Sequence, residues 1–150
     1  MEDAEVTMAS QLTKGAIGSG YTYSGHPVGA AAAIVCLQET EKLQVHQNAA
    51  ERGMELHQGL LDLQTRYELI GDVRGGHGLM CAMELVSNRN TKELADKETI
   101  ARFYNETYRR GTMIRISGPN VILSPPLVIT PQQVSSMLNA MEDAFAAITN

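Results

Sequence analysis

The chain has 150 residues, 43% of them apolar, and a net charge of −5. That length suits one domain burying about 68–70% of its unfolded surface. The acidic balance, with no Lys/Arg stripe, argues against nucleic acid as a partner, and no apolar run approaches the roughly 18 residues of a membrane span. Two cysteines, Cys36 and Cys81, make no disulfide framework, and Met-Glu-Asp-Ala-Glu lacks the basic start of a signal peptide. The expectation is a cytoplasmic protein with reduced thiols. With two Phe, five Tyr and no Trp, its core must come from Leu, Ile, Val, Ala and eight Met.

Residues 6–14 form a short mixed segment, and Gly-Ala-Ile-Gly-Ser-Gly over 15–20 is flexible by composition. A helix is predicted from Pro27 to residue 42, because Pro is tolerated in a first turn. Its apolar N-terminal half, with Ala30 to Ala33 at its centre, predicts burial on several sides. A second helix is predicted over 45–67, where Ala49, Gly53, Leu56, Leu60 and Leu63 recur at three- and four-residue steps. Strands follow at 69–74 and 79–86, around Gly75, Gly76 and Gly78. The second puts Leu79, Cys81, Met83 and Leu85 on one face. After a polar loop, a third helix is predicted over 93–110, with Ile100, Phe103, Tyr104 and Tyr108 along one stripe and Gly111 as its stop. Segments 112–116 and 120–123 read as a hairpin around Ser117-Gly118-Pro119, closed off by Pro125-Pro126. The last helix opens with Thr130 as N-cap, Pro131 at N1 and Gln133 at N3. Its apolar face is Val134, Met137, Leu138, Met141, Phe145 and Ile148. The order ααββαββα predicts an α+β fold: a small, mainly antiparallel sheet with helices packed on one side.

Few residues suggest chemistry. Thr22 sits among hydroxyls and glycines in Gly-Tyr-Thr-Tyr-Ser-Gly-His-Pro, directly before a helix N-terminus. Such a turn either wraps an anion or simply caps a helix. Arg115 stands in Met-Ile-Arg-Ile-Ser-Gly-Pro-Asn. An arginine fork matches a carboxylate, and an exposed strand arginine held by water alone is the plain alternative. His26 shapes its turn. His46, His57 and His77 share no metal-ligand spacing with the cysteines, so no metal site is expected. Glu84 reads as an edge or loop-facing carboxylate. The glycines at 75–78 lack the strand–GxGxxG–helix context of a dinucleotide site, and no Gly-x-Ser-x-Gly elbow is present.

Tyr-Thr-Tyr-Ser-Gly-His-Pro followed by Val-Gly-Ala-Ala-Ala-Ala resembles the cofactor-phosphate segment of class III aminotransferases, enzymes that use pyridoxal phosphate (PLP). The resemblance continues in Ile-Gly-Asp-Val-Arg-Gly (70–75), Gly-Leu-Met (78–80) and Met-Glu-Leu-Val (83–86), although Gly76 and His77 both intervene where many members have one residue. It implies the small domain of a fold type I PLP enzyme. Thr22 would contact the PLP phosphate of the neighbouring subunit in a dimer, and Arg115 would clasp the substrate carboxylate, as the matching residue does in ω-amino acid–pyruvate transaminases.

The departures are as informative. Residues 8–16, Met-Ala-Ser-Gln-Leu-Thr-Lys-Gly-Ala, are similar to the family stretch that carries the Schiff-base lysine, and its place holds Ser10. A hydroxyl forms no imine, and Lys14 does not match the lysine position. Only Ile-Gly-Ser-Gly separates this stretch from the Thr22 segment, a much shorter spacing than in the family. The carboxylate for the pyridine nitrogen is also missing. The expected organisation is therefore a remnant of the lysine segment plus a Gly-Ser-Gly linker over 1–20, then the aminotransferase C-terminal small domain with its preceding helix over 21–150. No catalytic residue is assigned, and PLP is not expected to bind covalently. Amino and keto acids are substrates only if a large domain completes the site. The chain alone is expected to be inactive. A non-catalytic binding or oligomerisation module on the same fold, and completion by another chain that supplies the lysine, are the competing readings.

Overall fold

Gly25, at φ 74, closes a turn that leads into the first helix. In that turn the Ser24 N–H donates to the Tyr21 carbonyl at 2.9 Å and the Tyr21 N–H donates to Ser24 Oγ at 2.8 Å. The computed structural model describes residues 20–149. The lysine-like stretch with Ser10 and Lys14, and the Gly-Ser-Gly linker up to residue 19, lie outside the described residues. The chain divides into two units, Met1–Glu39 and Thr40–Asn150. Helix α1, Pro27–Lys42, begins as expected at its proline. None of its residues is buried, contrary to the several-sided burial its composition implies.

The second unit is built on α2 (Val45–Arg66), β1 (Ile70–Gly76), β2 (Gly78–Asn88), β3 (Glu93–Leu94), α3 (Lys97–Arg109), β4 (Arg115–Ser117), β5 (Asn120–Leu123) and α4 (Pro131–Thr149). The sheet runs β1-β2-β5-β4, with β3 paired to β2 off that path, and all its pairings are antiparallel. Alternation along β2 sends Leu79, Cys81, Met83 and Leu85 into the core, where they join Leu56, Leu60 and Leu63 of α2. Phe103 of α3 and Phe145 of α4 pack at 4.2 Å between ring centroids, with Tyr67 stacked on Phe145 at 5.1 Å. The α+β architecture, a small antiparallel sheet with helices on one side, is the one the sequence implies.

Local chemistry explains the boundaries. The β1–β2 hairpin pairs Gly76 with Gly78, leaving only His77 at the tip. Gly76 and Gly78 lie at φ 90 and 81, a region that favours glycine. The third helix starts later than residue 93. Glu93 and Leu94 are drawn into pairing with β2, and Asp96 caps the helix by accepting the Thr99 N–H at 2.7 Å. Tyr108 does not share the buried stripe: it is 60% exposed, and Thr107 is buried in its stead. Thr107 Oγ1 donates back to the carbonyls of Phe103 and Tyr104. Helix α4 carries the expected capping box in both directions. The Gln133 N–H donates to Thr130 Oγ1 at 3.2 Å, and the Thr130 N–H donates to Gln133 Oε1 at 2.9 Å. No helix among the described residues is long and apolar enough to cross a membrane.

Beyond the apolar packing of the core, contacts at Gly53 and Arg89 set how α2 meets the sheet. A Cβ on Gly53 would lie 2.1 Å from the Gly78 carbonyl oxygen, so only glycine lets the helix approach the hairpin this closely. Arg89 reaches across the α2–β1 turn and donates to the carbonyls of Gln64 (2.7 Å), Tyr67 (2.8 Å) and Ile70 (3.1 Å). We therefore expect Gly53→Ala to lower stability by about 1–3 kcal/mol through overpacking, measured by urea unfolding. Arg89→Ala should cost about 1.5–3 kcal/mol by removing three hydrogen bonds from a charged donor. Arg109→Ala, at an exposed helix pair, should change stability by less than about 0.5 kcal/mol; equal losses for the Arg89 and Arg109 variants would refute the bracing role.

Candidate functional site

Arg115 reaches its position through a chain of local constraints. Gly111, at φ 81, ends α3, and the Thr112 N–H donates to the Thr107 carbonyl at 3.0 Å. The chain then enters β4, turns at Gly118-Pro119 and returns as β5. Register pairs Arg115 with Ile122, Ile122 with Ala82, and Ala82 with Arg74. These residues alternate with the inward Val121, Leu123 and Met83, so they form one row on the face of the sheet away from the helices. Arg115 is exposed and has no hydrogen-bond or ion-pair partner among the described residues. Arg52, Arg66, Arg89, Arg109 and Arg110 are all engaged with carboxylates. A guanidinium held on a strand with its fork free can receive a carboxylate in two parallel bonds.

Beside Arg115 lies an open groove of about 1480 Å³ between α3, the β4–β5 hairpin and the start of α4. Its walls include Ile100, Tyr104, Met113, Pro125, Val128 and Met137. It exceeds the roughly 300–1,000 Å³ of a closed small-molecule pocket, so it is better described as an uncovered apolar surface with Arg115 at its rim.

Thr22 lies in the other unit, in the exposed turn before α1. It has no partner among the described residues. A free hydroxyl in a turn just ahead of a helix N-terminus fits a contact to a phosphate. The described residues go no further toward a whole cofactor site. Their lysines are Lys42, Lys92 and Lys97, at the end of α1, in the polar loop after β2 and at the start of α3, and none stands at the place the family uses.

The other candidates are structural. Cys81 is buried, and burial pushes its thiol above the ordinary value, partly offset by a hydrogen bond from the Gly76 backbone. That disfavours the thiolate. His57 lies against the backbone of Gly76. Among the described residues no group of three or more His, Cys, Asp or Glu could hold a metal ion. The residue that sequence reasoning missed is Arg74, which the register aligns with Arg115 across two intervening strands. Counting side-chain parity through both hairpins would have found it.

Comparison with known proteins places the chain in a family. The family model for aminotransferase class-III matches residues 2–145. A probable γ-aminobutyrate transaminase 3, mitochondrial, of Oryza sativa subsp. indica is 30% identical over 148 residues, covering 97% of this chain and 29% of that protein. A putrescine–pyruvate aminotransferase of Pseudomonas aeruginosa is 35% identical, covering 79% of this chain and 26% of its own length. Among solved structures, a PLP-bound amine transaminase from an uncultivated Pseudomonas species superposes with a TM-score of 0.78 at 40% identity, over 89% of this chain and 32% of that one. The chain belongs to the class III aminotransferases, a PLP-dependent family, and spans under a third of the length of these relatives.

Proposed function

We propose that residues 21–150 are the C-terminal small domain of a class III aminotransferase with its preceding helix, and that 1–20 hold the remains of the lysine segment and a linker. In the complete fold the reaction moves an amino group from an amino acid or amine to a keto acid. PLP, when bound, supplies an electron sink for the carbon that bears the amino group. This chain's residues bind and orient. Thr22 donates its hydroxyl to the phosphate of the cofactor across a dimer, and Arg115 holds the substrate carboxylate. The observation that carries this reading is Arg115 itself: an unpartnered guanidinium fixed on a strand in a chain matched to this family over residues 2–145. Ser10 offers a hydroxyl where the amine belongs, so the chain alone does not transaminate. Its exposed Cys36 thiol suits a reducing compartment such as the cytoplasm.

Mixed with PLP and reduced with borohydride, the purified chain should give no stoichiometric phosphopyridoxyl adduct by intact mass; a full adduct at one lysine would overturn the inactive reading. In an NMR titration with valerate, the Arg115 Nε–Hε peak should move. Arg115→Gln should abolish the accompanying shifts of its neighbours while leaving the melting temperature nearly unchanged, as expected for a surface position.

The second reading, an association module, is favoured by α1. Val28, Ile34, Val35 and Leu37 are all more than half exposed on a helix with no buried residue. A helix that exposes apolar side chains around its circumference is a candidate for association. Sedimentation should find a dimer at micromolar concentration, and Ile34→Glu with Leu37→Glu should convert it to monomer; a wild-type monomer would remove α1 as the interface.

A further inference from the structure

The outer face of the sheet carries a second guanidinium placed to act with Arg115. Arg74 starts on β1, two strands away from β5, and crosses over Ala82, the smallest side chain on that face. Its Nη2 donates to Asn120 Oδ1 on β5 at 2.6 Å, and its Nε lies 3.3 Å from Asp72 Oδ2. The guanidinium is thus drawn toward β4. Asn120 is directly opposite Ser117, and one strand spacing of about 4.8 Å separates β5 from β4. Two of the five N–H donors of Arg74 are engaged in these contacts, its side chain is 54% exposed, and the rest remain available.

We infer that Arg74 is a specificity-determining residue that receives the second carboxylate of a dicarboxylic amino or keto acid whose first carboxylate lies on Arg115. The inference rests on the carboxylate role proposed for Arg115. A five-carbon dicarboxylate spans roughly 5 Å between carboxyl carbons, comparable to the one strand spacing between Asn120, which holds the Arg74 guanidinium over β5, and β4, which carries Arg115. Two acidic groups share the face. Asp72 pairs with Arg74, and Glu84, opposite both Asp72 and Asn120, opposes any second anion that strays toward β2. The site therefore favours an anion that approaches from the β4 side.

The test titrates the intact chain at low ionic strength with glutarate and with valerate, matched in carbon number, and follows arginine Nε–Hε and backbone peaks. Glutarate should bind up to about fivefold more tightly than valerate, the gain expected of one exposed ion pair. Arg74→Gln should erase that advantage and leave the valerate constant unchanged, which also reports that the variant is folded. Glu84→Gln should enlarge the advantage. Equal affinity for the two acids in the wild type, or an advantage that survives Arg74→Gln, overturns the role of Arg74 alone. Failure of both acids to perturb Arg115 overturns the carboxylate reading and this inference together.

Discussion

The alternation along β2 decides which way the sheet faces. Leu79, Cys81, Met83 and Leu85 leave water together, and a shift of one residue would exchange that row for Met80, Ala82 and Glu84. Because β1 and β5 both pair with β2, its parity passes to every strand beyond it. Arg115 points away from the helices because Val121 and Leu123 point toward them. The core therefore specifies the site: apolar burial on one face obliges polar residues of the same strands to line the other, and the hairpin at Gly118-Pro119 fixes which arginine arrives there.

This dependence also explains what could be read in advance. Elements with strong local signals were legible: the proline start of α1, the apolar steps of α2, the alternation of β2, and the Thr130–Gln133 capping box. Those set by tertiary context were not. Glu93 and Leu94 look like the first turn of a helix, and they pair with β2 because Asp96 is the better cap. Tyr108 fits a helical stripe in sequence, yet the smaller Thr107 occupies the buried position and satisfies its hydroxyl on the preceding turn. Arg89 is unremarkable in a polar loop, and its three carbonyl acceptors become visible only when α2 and β1 are brought together. At the site, Arg115 could be singled out from its neighbours in sequence, whereas Arg74 required the register of three strand pairs.

The chain also shows where a family fold divides its labour. The segment that should carry the amine has a serine. The roles proposed for Thr22 and Arg115 are ones of orientation, contributed by a turn before a helix and by one strand. Large apolar groups stay in solvent: Met80 at 71% and Met113 at 78% exposure, with the exposed apolar side chains of α1 and the floor of the groove beside β4. Exposed apolar groups of this size mark places where a protein meets a partner or further chain.

Coverage matters to Arg115 as much as to the apolar residues. Two unit charges 4 Å apart attract by about 1 kcal/mol in water and by about 4 kcal/mol at an effective dielectric of 20. On the open sheet face the guanidinium stands in the first regime, so the carboxylate contact proposed for it would be directed by geometry and weak. Closing the face raises the value of the same contact without moving an atom of β4. In that proposal the strand would supply direction and spacing, and affinity would depend on whatever excludes water above it. Under the carboxylate role proposed for Arg115, direction and spacing are thus set by the strand alone, and the strength of the contact by what lies above it.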